Sequence, residues 1–259
     1  MATQAGNDKA RGRALPQKGG DERTLDRQVA DAVMEDIIAW RIPPGSWIRE
    51  RQIAQRFNVS HGPVREAFRH LSQAGFINVV PWRGAHVIEM TPHTVHEIYT
   101  LWSSLFSVIC RLAAERIGDE DLSRLEELAT DYEKCVRATN DTNEHFASSQ
   151  VLGRFISSRA QGPLARSMID RVTLLARWAH HLAHDEPVAK LQPSLGLSSA
   201  ALSRVMVEAI KARNPDEAER AARELINFTE RHVTEAVKAR IAEQPAVKPR
   251  RRRTALASD

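Results

Sequence analysis

Apolar residues recur at helical spacing through most of the chain, and they switch to short strand-like runs around a turn in one stretch, residues 76–88. That single switch constrains the fold, because an isolated hairpin is marginal in water and must be covered by helices. The residues before it supply the cover. In LDRQVADAVMEDIIAWR, Val29, Val33, Ile37 and Trp40 mark one face of a helix. Proline and glycine in Ile42-Pro43-Pro44-Gly45 end it. A short helix follows, with Ile53, Ala54 and Phe57 on one side, and Asn58-Val59 makes a turn. Ser60 is suited to cap the next helix, in which Val64, Ala67, Phe68 and Leu71 fall at i, i+3, i+4 and i+7. Gly75 closes it. Phe76 to Val80 then forms a strand, Pro81-Trp82-Arg83-Gly84 a turn, and Ala85 to Ile88 the returning strand. Helix, helix, tight turn, helix and hairpin is the order of a winged helix-turn-helix.

Beyond Thr91-Pro92, a cap followed by proline at the first helical position, only helical patterns remain. They cover about 92–117, 120–138, 143–160, 163–184, 194–213 and 215–240, and Asn214-Pro215 repeats the cap-plus-proline start. Residues 185–196, with Pro187 and Pro193, read as an exposed loop. The expected fold is therefore mainly α: a winged helix-turn-helix domain over 23–90, then an all-α helical bundle over 91–243. Residues 1–22 read as a disordered tail and 244–259 as a basic disordered tail.

Composition excludes several classes. With 42% apolar and 27% charged residues, the chain of 259 residues is that of an ordinary folded protein. No run approaches the ~18 apolar residues of a membrane span, and residues 1–22 carry no apolar core of a secretion signal, so a cytoplasmic location is expected. Cys110 and Cys135 lie in helical segments and read as two buried, reduced thiols. The net charge of +4 is distributed unevenly, with basic ends and a mildly acidic middle. A basic head suits a polyanion.

The segment S-H-G-P-V-R-E-A-F-R-H-L packs with its apolar side and exposes Ser60, His61, Gly62 and Arg65 in its first turn. A recognition helix presents such N-terminal residues to base edges, and its free N–H groups suit a phosphate. Arg65 could fork onto guanine. Arg51 opens the preceding helix, and Arg83 with Gly84 sits at the hairpin tip, where a wing meets the minor groove. Each also has an ordinary structural role open to it. Ser60 is a cap, Arg51 could pair with an acid of the first helix, and Arg65 and Arg83 could be solvated. Their joint placement at the three points where this fold meets DNA favours the interface.

These residues carry a family resemblance. Ile42-Pro-Pro-Gly45, Ile48-Arg-Glu50, Ile53-Ala54, Asn58-Val-Ser60, Pro63-Val-Arg-Glu-Ala67, Leu71, Gly75-Phe-Ile77 and Gly84-Ala-His-Val87 resemble the DNA-binding domain of the GntR family of bacterial transcription regulators. The resemblance implies operator contacts through Arg51, Ser60, His61, Gly62, Arg65, Arg83 and Gly84, with Pro63 in the same turn. His61 departs from the arginine usual there, which weakens a charged contact. The helical remainder resembles the FadR-type effector domain, the FCD domain, through Ile98-Tyr99, Leu112-Ala-Ala-Glu-Arg116, Ala209-Ile210 and Asn214-Pro-Asp-Glu-Ala218. Many members hold a divalent metal through an Asp-x3-His pair and two later His. In an ungapped register those positions fall near Ser149, Gly153, Ser203 and Ile226, and none of these is a ligand. The usual Arg and Glu of the first effector helix fall near Trp102 and Phe106. No metal or other cofactor is therefore expected, and Trp102 and Phe106 become candidate walls of an apolar effector pocket.

His180 and His184 stand one helical turn apart, a spacing that suits a metal. Surface histidines at a helix C-terminus are the favoured reading, because a closed site needs about four ligands and the sequence fixes no carboxylate partner. Trp40, Trp47, Trp82, Trp102 and Trp178 read as core or interface anchors. Together these features predict a ligand-responsive regulator, commonly a repressor. It would bind double-stranded operator DNA as a homodimer, with an unidentified small-molecule effector and no membrane partner. Two other readings stay open: an enzyme built on the helical half, although no catalytic signature is visible, and an architectural DNA binder without a ligand.

Overall fold

The computed structural model describes residues 24–182 and 195–243. The expectations for both tails and most of the 185–196 loop lie outside these residues, as does His184. Leu195 and Gly196, where the expected loop overlaps the expected helix over 194–213, are helical.

Three helices open the chain: α1 (Leu25–Ile38), α2 (Glu50–Phe57) and α3 (His61–Gln73). A short β1 (Trp47–Ile48) precedes α2, and β2 (Ile77–Val80) and β3 (Gly84–Val87) follow α3. The expected hairpin is thus a three-stranded antiparallel sheet of order β1-β3-β2. Trp47 pairs with His86 and Ile48 with Ala85, while Ile77 pairs with Val87. Two residues are too few to show alternation, so β1 left no period in the sequence. Val33, Ile37, Val64, Phe68, Leu71 and Ile77 close the small core. Buried Asp36 ties the end of α1 to its surroundings, accepting from Arg41 Nε at 2.6 Å and facing Arg56 Nη1 at 2.5 Å.

The bundle comprises α4 (Pro92–Arg116), α5 (Asp119–Ala138), α6 (Thr142–Arg159), α7 (Pro163–Leu182), α8 (Leu195–Lys211) and α9 (Pro215–Glu243). The Thr91 hydroxyl accepts from Thr94 N at 3.1 Å and Asn214 Oδ1 from Glu217 N at 3.2 Å, so both cap-plus-proline starts are formed. The long α4 and α9 pack along each other, and α8 lies between α9 and α5. Arg204 and Lys211 of α8 both reach Glu126 of α5, at 2.6 and 2.8 Å. Cys110 is buried, with Sγ 3.5 Å from Met206 Sδ, whereas Cys135 is only half-buried, contrary to expectation. Its helix turns that position partly towards solvent.

The head and the bundle share one apolar core. The link is α7. Its Trp178 ring lies 5.5 Å from Phe76, and a Cβ on Gly75 would touch Leu175 at 3.4 Å. Arg177 pairs with Glu35 of α1, and Arg171 donates to the Gln73 carbonyl at the end of α3.

Candidate nucleic-acid interface and effector cavity

Helix α3 buries Val64, Ala67, Phe68 and Leu71, which turns the other side of its first turn outward. Ser60, His61, Gly62 and Arg65 are exposed there, and Pro63 is half-buried. Pro63 fits because the first-turn amides have no intrahelical acceptor. Ser60 occupies the N-cap position in extended backbone, yet its hydroxyl makes no capping bond. The amides of His61 and Gly62 therefore remain open to an anion.

Glu50, the first residue of α2, organises this surface. Its Oε2 accepts from Arg65 Nε at 2.9 Å and lies 3.8 Å from His61 Nδ1. The Arg65 guanidinium stays 70% exposed, so its outer N–H groups remain available. Glu66, next to Arg65 in sequence, pairs instead with Arg69 at 2.6 Å. Arg51 is exposed and has no ion pair among the described residues. Arg56 takes the place beside Asp36 that Arg51 was open to filling.

The wing tip adjoins the start of α2. A Cβ on Gly84 would fall 2.4 Å from the Ile48 carbonyl and 3.4 Å from Arg49 Cα, and its φ is +102°. Gly84 is thus required by the close approach of β1, a role apart from any DNA contact. The turn Val80-Pro81-Trp82-Arg83 closes with Arg83 N donating to Val80 O at 3.1 Å, and Trp82 takes φ 64°. Trp82 is fully exposed, so it is no core anchor. The turn's geometry throws its ring outward. Arg83 lies over the Trp47 ring at 5.2 Å. Exposed Arg49 and Arg51 flank Glu50 in sequence, Arg65 reaches Glu50 from α3, and the backbone of Arg49 adjoins the wing at Gly84. Sequence reasoning missed Arg49, Glu50 and Trp82. The Ile48-Arg-Glu50 run was visible, but its part in the surface depends on β1.

A second feature lies inside the bundle. A cavity of about 320 Å³ opens between α4, α5, α6, α7, α8 and α9, with Trp102, Phe106, Phe146 and Tyr132 on its walls. Volumes of this order suit a small molecule. Ser149, Gly153, Ser203 and Ile226, the positions matching the family's metal ligands, all line it. Two hydroxyls, a glycine and an isoleucine do not fit a divalent cation. Among the described residues no group of three His, Cys, Asp or Glu could hold one. His180 is not the surface residue expected. It is buried, lines the cavity and stacks on Phe146 at 4.5 Å, because this turn of α7 faces the bundle interior. Burial pushes the Tyr132 hydroxyl up from its ordinary pKa.

α7 thus borders both features. Ile169, Thr173 and Leu174 line the cavity, while Arg171, Leu175, Arg177 and Trp178 meet the head. A cleft between α1 and the bundle shares Phe146, Gln150, Arg154 and His180 with the cavity.

Comparison with known proteins places this geometry in a family. Residues 25–87 match the model of bacterial regulatory proteins of the gntR family, and residues 97–228 match the FCD domain. The Escherichia coli K12 HTH-type transcriptional repressor RspR is 31% identical over 103 residues, which cover 40% of this chain and 45% of that protein. The chain therefore matches less than half the length of that relative. A protein of Paenarthrobacter nicotinovorans, named as a probable D-xylose utilization operon transcriptional repressor, is 29% identical over 204 residues, covering 76% of this chain and 84% of its own. The solved structure of E. coli McbR/YncC has the same fold, with a TM-score of 0.66 at 18% identity over 82% of this chain and 98% of the other. No described helix is long and apolar enough to cross a membrane. These domains are those of transcription regulators and not of an enzyme, and the chain belongs to the GntR family, with an FCD domain as its helical half.

Proposed function

We propose that the protein is a cytoplasmic, ligand-responsive transcription repressor that binds operator DNA as a homodimer. The observation that carries the reading is the exposed first turn of α3, with Arg65 steered by Glu50 and the wing beside it. Arg65, His61 and Gly62 would meet base edges in the major groove. The open amides, Ser60, Arg51 and Pro63 would sit against the phosphate backbone. Arg83 and Gly84 would follow the wing to the adjacent minor groove.

Two heads are needed to read enough DNA for operator affinity. On α4, Leu101 and Val108 stand exposed one heptad apart, with half-buried Leu105 between them. A second copy packed along this stripe would supply the other head. The effector would occupy the bundle cavity, against Trp102 and Phe106. Because α7 contacts cavity and head alike, a ligand that shifts α7 would change the spacing of the two heads.

Selection of duplexes from a random library by the full chain, followed by anisotropy titration, tests this. The expected product is an enriched, two-fold symmetric site. Failure to enrich any sequence over non-specific duplex would overturn the reading.

A further inference from the structure

The cavity walls say what kind of molecule they suit. Trp102 and Phe146 stand 6.5 Å apart between ring centroids, and Phe146 stacks on His180. Across Gly153 the Phe106 ring lies so close that a Cβ there would touch it at 3.8 Å. Such ring faces favour a flat apolar partner. Among the described lining residues the formal charges are Arg154 and Asp170, and both side chains are exposed to solvent. They are of opposite sign, so they offer an anion no buried counter-charge.

At the cavity wall His145 offers a buried polar atom without a hydrogen bond among the described residues. His145 is buried and lines the cavity, and its Nε2 lies 2.9 Å from the Thr139 carbonyl. The carbonyl can only accept, so Nε2 donates to it, and in the neutral ring this leaves the lone pair on Nδ1. Nδ1 is buried with no hydrogen bond among the described residues. Gly196, also of the cavity wall, packs beside it, and a Cβ there would lie 2.7 Å from Nδ1. A buried acceptor without a donor is a position for a ligand's O–H.

We propose that the cavity binds an uncharged aromatic alcohol of the phenol class without a metal ion, its ring against Trp102, Phe106 and Phe146 and its O–H donating to His145 Nδ1. This deepens the effector reading above and rests on it. An aromatic hydrocarbon would fill the same walls but leave Nδ1 unmade. An aromatic carboxylate would bring a charge that neither a metal nor a buried cation awaits.

Calorimetric titration of the full chain with 4-methylphenol, toluene and 4-methylbenzoate, each with EDTA and with added zinc, tests the proposal. One 4-methylphenol should bind per chain, about three- to tenfold tighter than toluene, the value of one hydrogen bond. EDTA and zinc should change nothing, and 4-methylbenzoate should not bind detectably. In His145→Leu the two neutral probes should bind equally, and toluene binding serves as the control for an intact cavity. Should that variant not fold, Gly196→Ala, whose Cβ covers Nδ1, should equalise them as well. Equal binding in the wild type, a preference surviving in the variant, zinc-dependent binding of 4-methylbenzoate, or no binding of any probe would each overturn the proposal. Duplex selection separates this failure from the other: an enriched operator with no phenol binding sinks only the ligand class.

Discussion

Glu50 Oε2 accepts the Nε–H of Arg65 at 2.9 Å across the gap between α2 and α3, and that bond fixes which edge of the guanidinium faces outward. On the surface proposed to face DNA a half-exposed carboxylate would repel phosphate, so its use there would be as a support for the arginine. Arg65→Ala should weaken specific binding by about 1–3 kcal/mol with the fold intact. Glu50→Gln should lower the ratio of specific to non-specific affinity without lowering non-specific affinity. Anisotropy with the selected duplex and a scrambled one reads both. A Glu50→Gln protein with an unchanged ratio would leave the pair without a role in recognition.

Gly62 has no packing reason to be glycine. A Cβ there meets nothing within 4 Å, and glycine costs a helix about 0.5–1 kcal/mol relative to alanine. Gly62→Ala should therefore raise stability by up to that amount, less because the site lies in the first turn, while weakening operator binding by tenfold or more if the backbone approaches DNA closely there (about 1.4 kcal/mol per decade). Urea unfolding and anisotropy on one preparation give both signs. Improved stability with undiminished affinity would place the DNA away from this turn.

Gly84 behaves oppositely. Its Cβ would strike the Ile48 carbonyl at 2.4 Å, from a backbone with φ +102°. Gly84→Ala should cost about 2–3 kcal/mol through strain and overpacking. Binding should fall in proportion to the displaced wing. A melting temperature equal to the wild type would show that β1 moves aside.

The period of the apolar residues made the helices and the hairpin legible, because each buries one face. Thr91-Pro92 and Asn214-Pro215 marked helix starts through chemistry confined to adjacent residues. The first turn of α3 was legible for the same reason. What was not legible depends on contacts remote in sequence. Glu50 meets Arg65 fifteen positions later, β1 exists only by pairing with β3, and His180 is buried because α6 brings Phe146 onto it. His145 of α6 and His180 of α7, remote in the chain, line one cavity in the fold.

Glu126 carries a prediction on pH. The Lys211 ammonium, and after it the Arg204 guanidinium, hold its carboxyl below the ordinary value of 4.5. The unfolded chain then binds the proton more readily, so this contribution is complete above about 4.5 and is lost as pH falls below it. Glu126 is 40% exposed, so solvent screens the pair and the effect is about 1 kcal/mol or less. Glu126→Gln should be less stable than the wild type by that amount at pH 7, and the two should converge towards pH 3. Denaturant titrations at both pH values check it, and a gap that widens in acid would reverse the assignment.

Trp178 decides whether head and bundle unfold together. Its ring is fully buried on α7 against Phe76 of the head, inside the core that both halves share. A shared core predicts one cooperative transition, since neither half can open without exposing the other's apolar surface. Trp178→Ala should cost about 3–5 kcal/mol, the range for emptying an aromatic site. Trp178→Phe should cost under about 1.5 kcal/mol, because the indole Nε1 has no partner among the described residues and the change forfeits no hydrogen bond. Far-ultraviolet circular dichroism and proteolysis of the head should report the same midpoint for the wild type, and should move together in both variants. Two separated midpoints in the wild type would mean that the head is anchored by Arg177–Glu35 and Arg171–Gln73 at its surface, with the Phe76–Trp178 contact contributing little to holding it in place.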